Sequence, residues 1–353
     1  MRLVSLTFFR LCILLDRPKS KRVTRGPRMY ALLFALGTMV CLVSGCATLP
    51  PELTSKLDNA AIPKHIELDD VPFFPQERYQ CGPAALATVM SHAGKPTDPQ
   101  TIGEHVYVPK REGSFQVELI AFARSKSLLV YTLEPVLIDL LTEVASGHSV
   151  LILQNLGFAW APQWHYAVVV GYDLANETIT LRSGTTRRLD MPLASFFATW
   201  HRAKSWAVVV VPSSDIPKTA VPKRFLRAAH ALEVNGDIAS ARRAYDASTA
   251  RWPDDASTWF LAGNAAFSQG ALDTADYALR RATDLAPHTA IFWNNLAHVA
   301  AVRGCKSTAL AAAQCASRLA PNDPTVRVTL TSLQSQSHQF VMEASCAELD
   351  CPR

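Results

Sequence analysis

A set of matching residues recurs every 34 positions in the last third of this 353-residue sequence, and no other feature constrains its fold as tightly. Trp259 recurs as Trp293, and Phe225 stands one period earlier. The other columns in step are Ala241, Ala275 and Ala309; Pro253, Pro287 and Pro321; and Gly236, Gly270 and Gly304. Several columns at one fixed period indicate stacked helical hairpins, because one unit can bury its apolar face only against its neighbours.

The period and its small residues resemble those of tetratricopeptide repeats. The resemblance implies an all-α solenoid of three repeats over residues 222–323, followed by a capping helix from Pro324 to about Phe340. Residues 222–340 would then form one domain, with a tail at 341–353. Such arrays bind an extended peptide or a helix on their concave face, so the resemblance implies a protein partner. A scaffold that only stabilises the first domain is the alternative.

The charge of the chain is unevenly distributed. Residues 1–46 hold 8 of the 35 Lys and Arg and 1 of the 30 Asp and Glu, so the remainder carries 27 basic and 29 acidic residues. No clustered basic face is left for phosphates, which excludes nucleic acid as an expected partner. The histidines show no metal-ligand spacing, and the sequence indicates no cofactor.

The start of the chain has the pattern of an export signal. The uncharged run from Tyr30 to Val43 is too short for a transmembrane helix but fits the core of a signal peptide. Val43-Ser44-Gly45-Cys46 resembles the bacterial lipoprotein signal, which implies a signal peptide at 1–46 and a lipid on Cys46. The chain would then sit on a bilayer, and Ala47 implies the outer membrane, facing the periplasm. An ordinary signal peptide with an incidental Cys46 is the alternative. Residues 47–68 predict an extended tether.

Residues 69–211 change from a helical to a strand pattern. Helices are predicted from Cys81 to about Gly94, over 114–125 and over 136–146. Strands are predicted at 150–153, 166–172, 178–181 and 206–211, with a turn at 173–177. Helices first and antiparallel strands afterwards indicate an α+β domain.

Two residues in this domain have the setting of a nucleophile and its base. Cys81 opens a helix with Pro83 in its first turn, where free N–H groups and the helix dipole stabilise a thiolate. His165 leads a predicted strand. A cysteine on an early helix and a histidine on a later strand are far apart in sequence and meet in the papain arrangement.

Two longer motifs make the resemblance narrower. Gln76, four further residues and Cys81-Gly82-Pro83-Ala84-Ala85 form the first, and His165-Tyr166-Ala167-Val168-Val169-Val170-Gly171-Tyr172-Asp173 forms the second. Together they resemble the peptidases that process double-glycine leaders of bacteriocins. The resemblance implies a papain-like cysteine peptidase fold with Cys81 as nucleophile and His165 as general base. Gln76 would form the oxyanion hole with the backbone N–H of Cys81, although the family's glutamine usually lies one residue further upstream.

The third member of the expected site departs from the family, which places Asp or Asn on the neighbouring strand. A turn centred near Ala175 and Asn176 sets His165 opposite Thr186, so the orienting position falls near Ser183. A serine can accept the imidazole N–H bond but brings no charge to stabilise imidazolium. The sequence therefore predicts a weakened base, or an inactive domain. Trp160, Trp164 and Tyr166 line a groove beside His165 or belong to the core.

Residues 212–221 predict a linker by their composition. Beyond it lie Cys305, Cys315, Cys346 and Cys351, and an exported location allows disulfides between them. Cys305 and Cys315 are about 15 Å apart on one predicted helix and cannot pair with each other. Either each bonds a tail cysteine, or the tail pair closes on itself.

The sequence thus predicts an exported, lipid-anchored cysteine peptidase that cleaves a peptide or protein substrate, with repeats that recruit this substrate or another partner. An inactive peptidase-like scaffold in an envelope assembly is the main alternative. An amidase or acyl transferase using the same Cys–His chemistry is a third possibility.

Overall fold

The computed structural model describes residues 48–75, 80–109, 113–335, 346 and 349–352. The predicted signal peptide with Cys46 lies outside the described residues, as does Gln76. The same holds for the last residues of the predicted capping helix and for most of the tail.

The elements up to residue 212 include both helices and strands. In chain order they are α1 Pro51–Asp58, β1 His65–Glu67, α2 Cys81–His92, α3 Pro99–Val106, β2 Tyr107–Val108, β3 Gly113–Ser114, α4 Gln116–Ser125, β4 Leu128–Thr132, α5 Leu137–Ala145, β5 Val150–Asn155, β6 Trp164–Asp173, β7 Thr178–Ser183, β8 Thr186–Pro192, α6 Leu193–Arg202 and β9 Ala207–Pro212.

One antiparallel sheet organises this domain in the strand order β4-β9-β5-β6-β7-β8, and β1 also pairs with β6. Successive side chains of a strand face opposite sides. Tyr166, Val168 and Val170 therefore pack with α2, α3 and α4, whereas Ala167 and Val169 pack with α5 and α6. Apolar side chains on both faces explain the nearly continuous hydrophobic runs of β5, β6 and β9. The predicted α+β class is confirmed.

The segment 47–68, predicted as an extended tether, is structured where it is described. Pro50 and Pro51 flank the start of α1, where proline is tolerated because the first turn lacks N–H acceptors. Leu57 is buried in the core, and β1 lies against the end of β6. At this position the prolines begin a helix instead of an extended segment.

The repeats form three helical hairpins and one further helix. They are α7 Pro222–Val234 with α8 Ile238–Arg251, α9 Ala256–Ser268 with α10 Leu272–Leu285, α11 Ala290–Val302 with α12 Lys306–Leu319, and α13 Pro324–Ser335. The predicted tetratricopeptide solenoid is confirmed.

Two of the repeating columns have a direct physical cause. The indole Nε1 of Trp259 donates to the carbonyl of Pro253 at 2.7 Å, and Trp293 donates to Pro287 at the same distance. The glycine column lies between the paired helices, with φ of +84° at Gly236, a conformation that disfavours other residues.

The predicted linker, residues 212–221, is packed between the two domains. Thr219 donates from both its backbone N and its Oγ1 to Oε1 of Glu143 at 2.6 Å, and the backbone N of Lys218 donates to Oε2 at 3.2 Å. Val211 before this segment and Phe225 after it belong to one apolar core. The composition of the segment predicted a connection but carried no sign of its contacts.

The tail is fixed to the last repeat by two disulfides, Cys305–Cys346 and Cys315–Cys351. Of the two pairings that the sequence left open, the structure has the one in which each tail cysteine bonds the repeat. No helix in the described part of the chain combines the length and hydropathy that a membrane crossing requires.

Candidate functional site

Cys81 is the first residue of α2 and is a free, partly exposed thiol. The helix is pressed against two neighbours at this point. A Cβ on Gly82 would lie 3.1 Å from the Cβ of Ser114 and 3.4 Å from Cδ2 of Tyr166. Glycine at position 82 therefore lets the first turn of the helix approach both β3 and the start of β6. Tyr166 directly follows His165, so the fold brings Cys81 to the strand that carries the candidate base.

The pKa of Tyr166 also shows that Cys81 lies close to this residue. Its hydroxyl donates to the backbone carbonyl of Ser114 at 3.2 Å. Burial raises the pKa of Tyr166 far above its ordinary value, and the nearby Cys81 raises it further. The phenol therefore stays protonated, and its hydrogen bond to Ser114 links β6 to β3 beside Cys81.

His165 is the second residue of β6, and its ring is held by Ser183. The distance from Nε2 of His165 to Oγ of Ser183 is 2.8 Å, and Ser183 is buried at the end of β7. The Nδ1 atom of the ring has no hydrogen-bond partner among the described residues. Burial lowers the pKa of His165, because the charged imidazolium is desolvated. A neutral ring that donates from Nε2 to Ser183 keeps a lone pair on Nδ1 and can accept a proton there.

The strand pairing beside this contact contains an irregularity that the sequence did not reveal. Gly171 pairs with Thr180, but Val169 pairs with Leu181, so a β-bulge shifts the register by one residue. A uniform register predicts Thr186 opposite His165. The bulge shifts the residue opposite His165 by one position along the chain. Ser183 nevertheless reaches the ring diagonally from the neighbouring strand.

Cys81 and His165 are not hydrogen-bonded to each other in the part of the chain that the structure describes. The hydrogen bond between nucleophile and base is often long or absent without substrate and tightens only in the reacting complex.

Two protein families match these domains. Residues 68–208 match the Peptidase_C39 like family, and residues 226–278 match a tetratricopeptide repeat. Residues 68–208 form a C39-like peptidase domain. No curated protein matches the chain closely enough to count as a relative.

The solved structures that are similar to parts of this chain include two peptidases and a transferase. A C39-like peptidase from Bacillus anthracis is 19% identical over 44% of this chain and 99% of its own, with a TM-score of 0.36. The peptidase domain of Streptococcus ComA, a bifunctional ABC transporter, is 18% identical over 40% of this chain and 98% of its own, with a TM-score of 0.32. An O-GlcNAc transferase mutant from Thermobaculum terrenum is 26% identical over 31% of this chain, with a TM-score of 0.30, and this chain spans only 21% of that chain.

Two polar side chains beside the candidate site of the C39-like domain were not predicted from the sequence. Gln154 is buried and pairs with His165 across β5 and β6, and its Nε2 donates to Oγ1 of Thr199 at 2.6 Å. Buried Arg182 donates to the backbone carbonyls of Leu68, Val71 and Arg187. It thereby fixes the segment that leads towards Cys81. The only local signal for either is a polar residue within an apolar strand.

Three other histidines of this domain have structural surroundings. His92 contacts Oγ of Ser149, His105 contacts the carbonyl of Thr101, and His148 contacts Glu143. Among the described residues no cluster of His, Cys, Asp and Glu could hold a metal ion. The catalytic roles of Cys81, His165, Ser183 and Gln76, and the lipid on Cys46, stay predictions.

Proposed function

We propose that the chain is an exported cysteine peptidase in which Cys81 attacks a peptide carbonyl and His165 moves the protons. The observation that carries this proposal is the contact from Nε2 of His165 to Ser183. It leaves Nδ1 without a hydrogen-bond partner among the described residues, on the strand that α2 and its free thiol approach. The match to the C39-like family supports the same chemistry.

The reaction follows in two halves. Nδ1 of His165 takes the proton of the Cys81 thiol, and the thiolate adds to the substrate carbonyl. The backbone N–H of Cys81, together with Gln76, stabilises the oxyanion. Collapse breaks the C–N bond, and His165 returns its proton to the leaving amine. Water, deprotonated by His165, then attacks the thioester and releases the acid and the free thiol.

Ser183 supports the alternative of an inactive scaffold. Its hydroxyl orients the ring but carries no charge, so imidazolium is stabilised less than beside a carboxylate. An amidase or acyl transferase would share the acyl-enzyme and would differ only in its products.

The proposed location rests on two separate features. Cys46 in its lipoprotein-like signal would anchor the chain to a bilayer, with the body in the periplasm. The two disulfides of the last repeat support an oxidising compartment independently of the signal. The repeats would recruit the peptide or protein substrate, or another protein partner, to the C39-like domain.

Covalent labelling of the purified full chain tests the proposal. A peptidyl vinyl sulfone should add one inhibitor mass to Cys81, since the other described cysteines are disulfide-bonded. Cys81→Ala should abolish labelling. His165→Ala should slow it by about a hundredfold or more. His105→Ala, an exposed histidine of the same domain, is the matched control and should label at the normal rate.

Absence of labelling in folded protein would contradict the peptidase. The scaffold alternative fails if Cys81→Ala abolishes function in cells while the protein still folds and binds its partners. Mass spectrometry of the products separates peptide hydrolysis from action on another amide.

A further inference from the structure

The loop between β5 and β6, residues 156–163, exposes large apolar side chains next to the candidate base. We call it the aromatic hairpin. Phe158 is 65% exposed and Trp160 is 83% exposed, and Trp164, which follows the loop and precedes His165, is also exposed. No residue of the loop is charged. Exposed apolar surface of this kind beside a site indicates a binding function.

The backbone of the aromatic hairpin is tightly constrained. Oδ1 of Asn155 accepts hydrogen bonds from the backbone N of Gly157 and of Gln163, both at 3.0 Å. Leu156 donates to the carbonyl of Gln163 at 2.8 Å. A Cβ on Gly157 would lie 2.3 Å from the carbonyl oxygen of Ala161, so only glycine fits at this position. The loop therefore holds one shape before any ligand arrives.

This fixed loop presents its two exposed rings as one surface. Phe158 and Trp160 are stacked with ring centroids 5.6 Å apart and an interplanar angle of 5°. Their orientation depends on the buried carboxamide of Asn155. The backbone carbonyl of Asn155 accepts from the guanidinium of Arg202. A preformed pair of parallel rings suits a bulky apolar side chain, because little conformational entropy is lost on binding.

The chemistry of His165 decides which part of a peptide substrate would lie there. In the first half of the reaction His165 gives its proton to the leaving amine, so that amine must lie against the imidazole. The residues that follow the scissile bond are attached to this amine. These residues therefore extend from His165 over the neighbouring protein surface. Exposed Trp164 lies between His165 and the aromatic hairpin in the chain, so this surface includes the hairpin.

We propose that the aromatic hairpin binds the peptide segment after the scissile bond, and that Phe158 and Trp160 select a bulky apolar side chain in it. The inference rests on the proposed function and adds a substrate class to it. Residues before the scissile bond would be selected by another part of the site.

Acyl transfer measures this selection directly. A peptidyl-aminomethylcoumarin substrate, found by screening a library, forms the thioester on Cys81 and releases the aminocoumarin. An added amino acid amide can then replace water. Its nitrogen attacks the thioester carbonyl, a C–N bond forms, the C–S bond breaks, and the amine proton passes through His165 to the thiolate. The product is a peptide lengthened by one residue amide.

The readout is the ratio of transfer to phenylalaninamide over transfer to serinamide, offered together at equal concentration. Both products come from the same acyl-enzyme, so the ratio does not depend on how much of the protein is folded or active. Wild type should favour phenylalaninamide. Trp160→Ala and Phe158→Ala should each lower the ratio about fivefold, the size of an aromatic contact. Trp160→Leu keeps an apolar side chain, so its ratio should lie between those of wild type and Trp160→Ala. Tyr277→Ala removes an exposed aromatic ring of the repeats and should leave the ratio unchanged.

Equal transfer to both amides in wild type, or an unchanged ratio in the Trp160 and Phe158 variants, would overturn the inference while leaving the peptidase intact. The exposed rings would then serve another contact, such as a lipid surface. Absence of both turnover and Cys81 labelling would contradict the proposed function, and this inference would fall with it.

Discussion

Two histidines of the C39-like domain are held by different kinds of partner. Nδ1 of His148 lies 2.7 Å from a carboxylate oxygen of Glu143, whereas Nε2 of His165 lies 2.8 Å from the hydroxyl of Ser183. Glu143 is fully buried and also accepts from Lys218 and Thr219 of the packed linker. The chain thus places a charged partner where two domains are joined and a neutral partner at the candidate base.

The difference shows in the titration of the groups involved. Burial alone would raise the pKa of Glu143, but hydrogen bonds from His148 and Thr219 outweigh it and hold that pKa below its ordinary value. Burial lowers the pKa of His165, and no carboxylate in the described part of the chain opposes this shift. The same fold therefore stabilises a charge at the domain junction and favours an uncharged imidazole at His165. Four predictions test this contrast.

Removing the charged partner should have the largest effect. Glu143→Ala would leave the linker N–H groups and His148 without their acceptor inside the protein. We expect the free energy of unfolding to fall by about 3 kcal/mol or more, measured by urea denaturation. Glu118→Ala, at an exposed carboxylate of α4, is the control and should change little. A loss within the ordinary range of surface substitutions, about 0.5 kcal/mol, would show that the junction does not depend on this carboxylate.

Acid should remove part of the same stabilisation. Because the pKa of Glu143 is lower in the folded than in the unfolded chain, its contribution is complete above the ordinary value of 4.5 and is lost as the pH falls through the lowered pKa. The free energy of unfolding should therefore drop with acidification below that value. Glu143→Gln should flatten this drop, since an amide does not titrate. Identical pH dependence in both proteins would assign the acid effect to other carboxylates.

The sequence predicts those features of the fold that depend on contacts between residues close together in the chain. The repeats were predictable because each column reports a local contact, such as the bond from Trp259 to Pro253 six positions earlier. The motif around Cys81 likewise predicted a helix start, and α2 begins at that residue. The bulge between Val169 and Gly171 has no comparable sequence signal, so the predicted register failed there.

The contacts of Glu143 and Asn155 were beyond sequence analysis for a different reason. Glu143 meets Thr219, 76 positions away, and its place in an amphipathic helix predicts only a half-buried surface residue. Asn155 ends an apolar strand, where a polar residue is ordinary. Glu143 and Asn155 are important because the fold brings backbone N–H groups to their side chains. Neither hydrophobic periodicity nor motif spacing predicts these contacts.

Giving the base a charged partner should bring its environment closer to that of His148. A carboxylate in Ser183→Asp would stabilise imidazolium, and we expect kcat/KM to rise about tenfold. The limb of the pH profile that reports His165 should move to higher pH, because the carboxylate raises its pKa. Unaltered Tm would show that the buried aspartate is accommodated. A fall in kcat/KM at unaltered Tm would mean that charge at this position does not help the base.

Removing the hydroxyl should have the smallest effect. Ser183→Ala deletes one neutral hydrogen bond to His165, worth about 1 kcal/mol, so kcat/KM and the rate of Cys81 labelling should each fall about fivefold. Thr178→Ala, at the opposite end of β7, is the matched control and should leave both rates unchanged. A loss as large as that of His165→Ala would mean that the ring adopts an unproductive orientation without the hydroxyl, so that Ser183 matters as much for position as a carboxylate would. No loss at all would mean that packing alone holds the ring, and the contrast with the carboxylate-bound His148 would then be one of geometry rather than of charge.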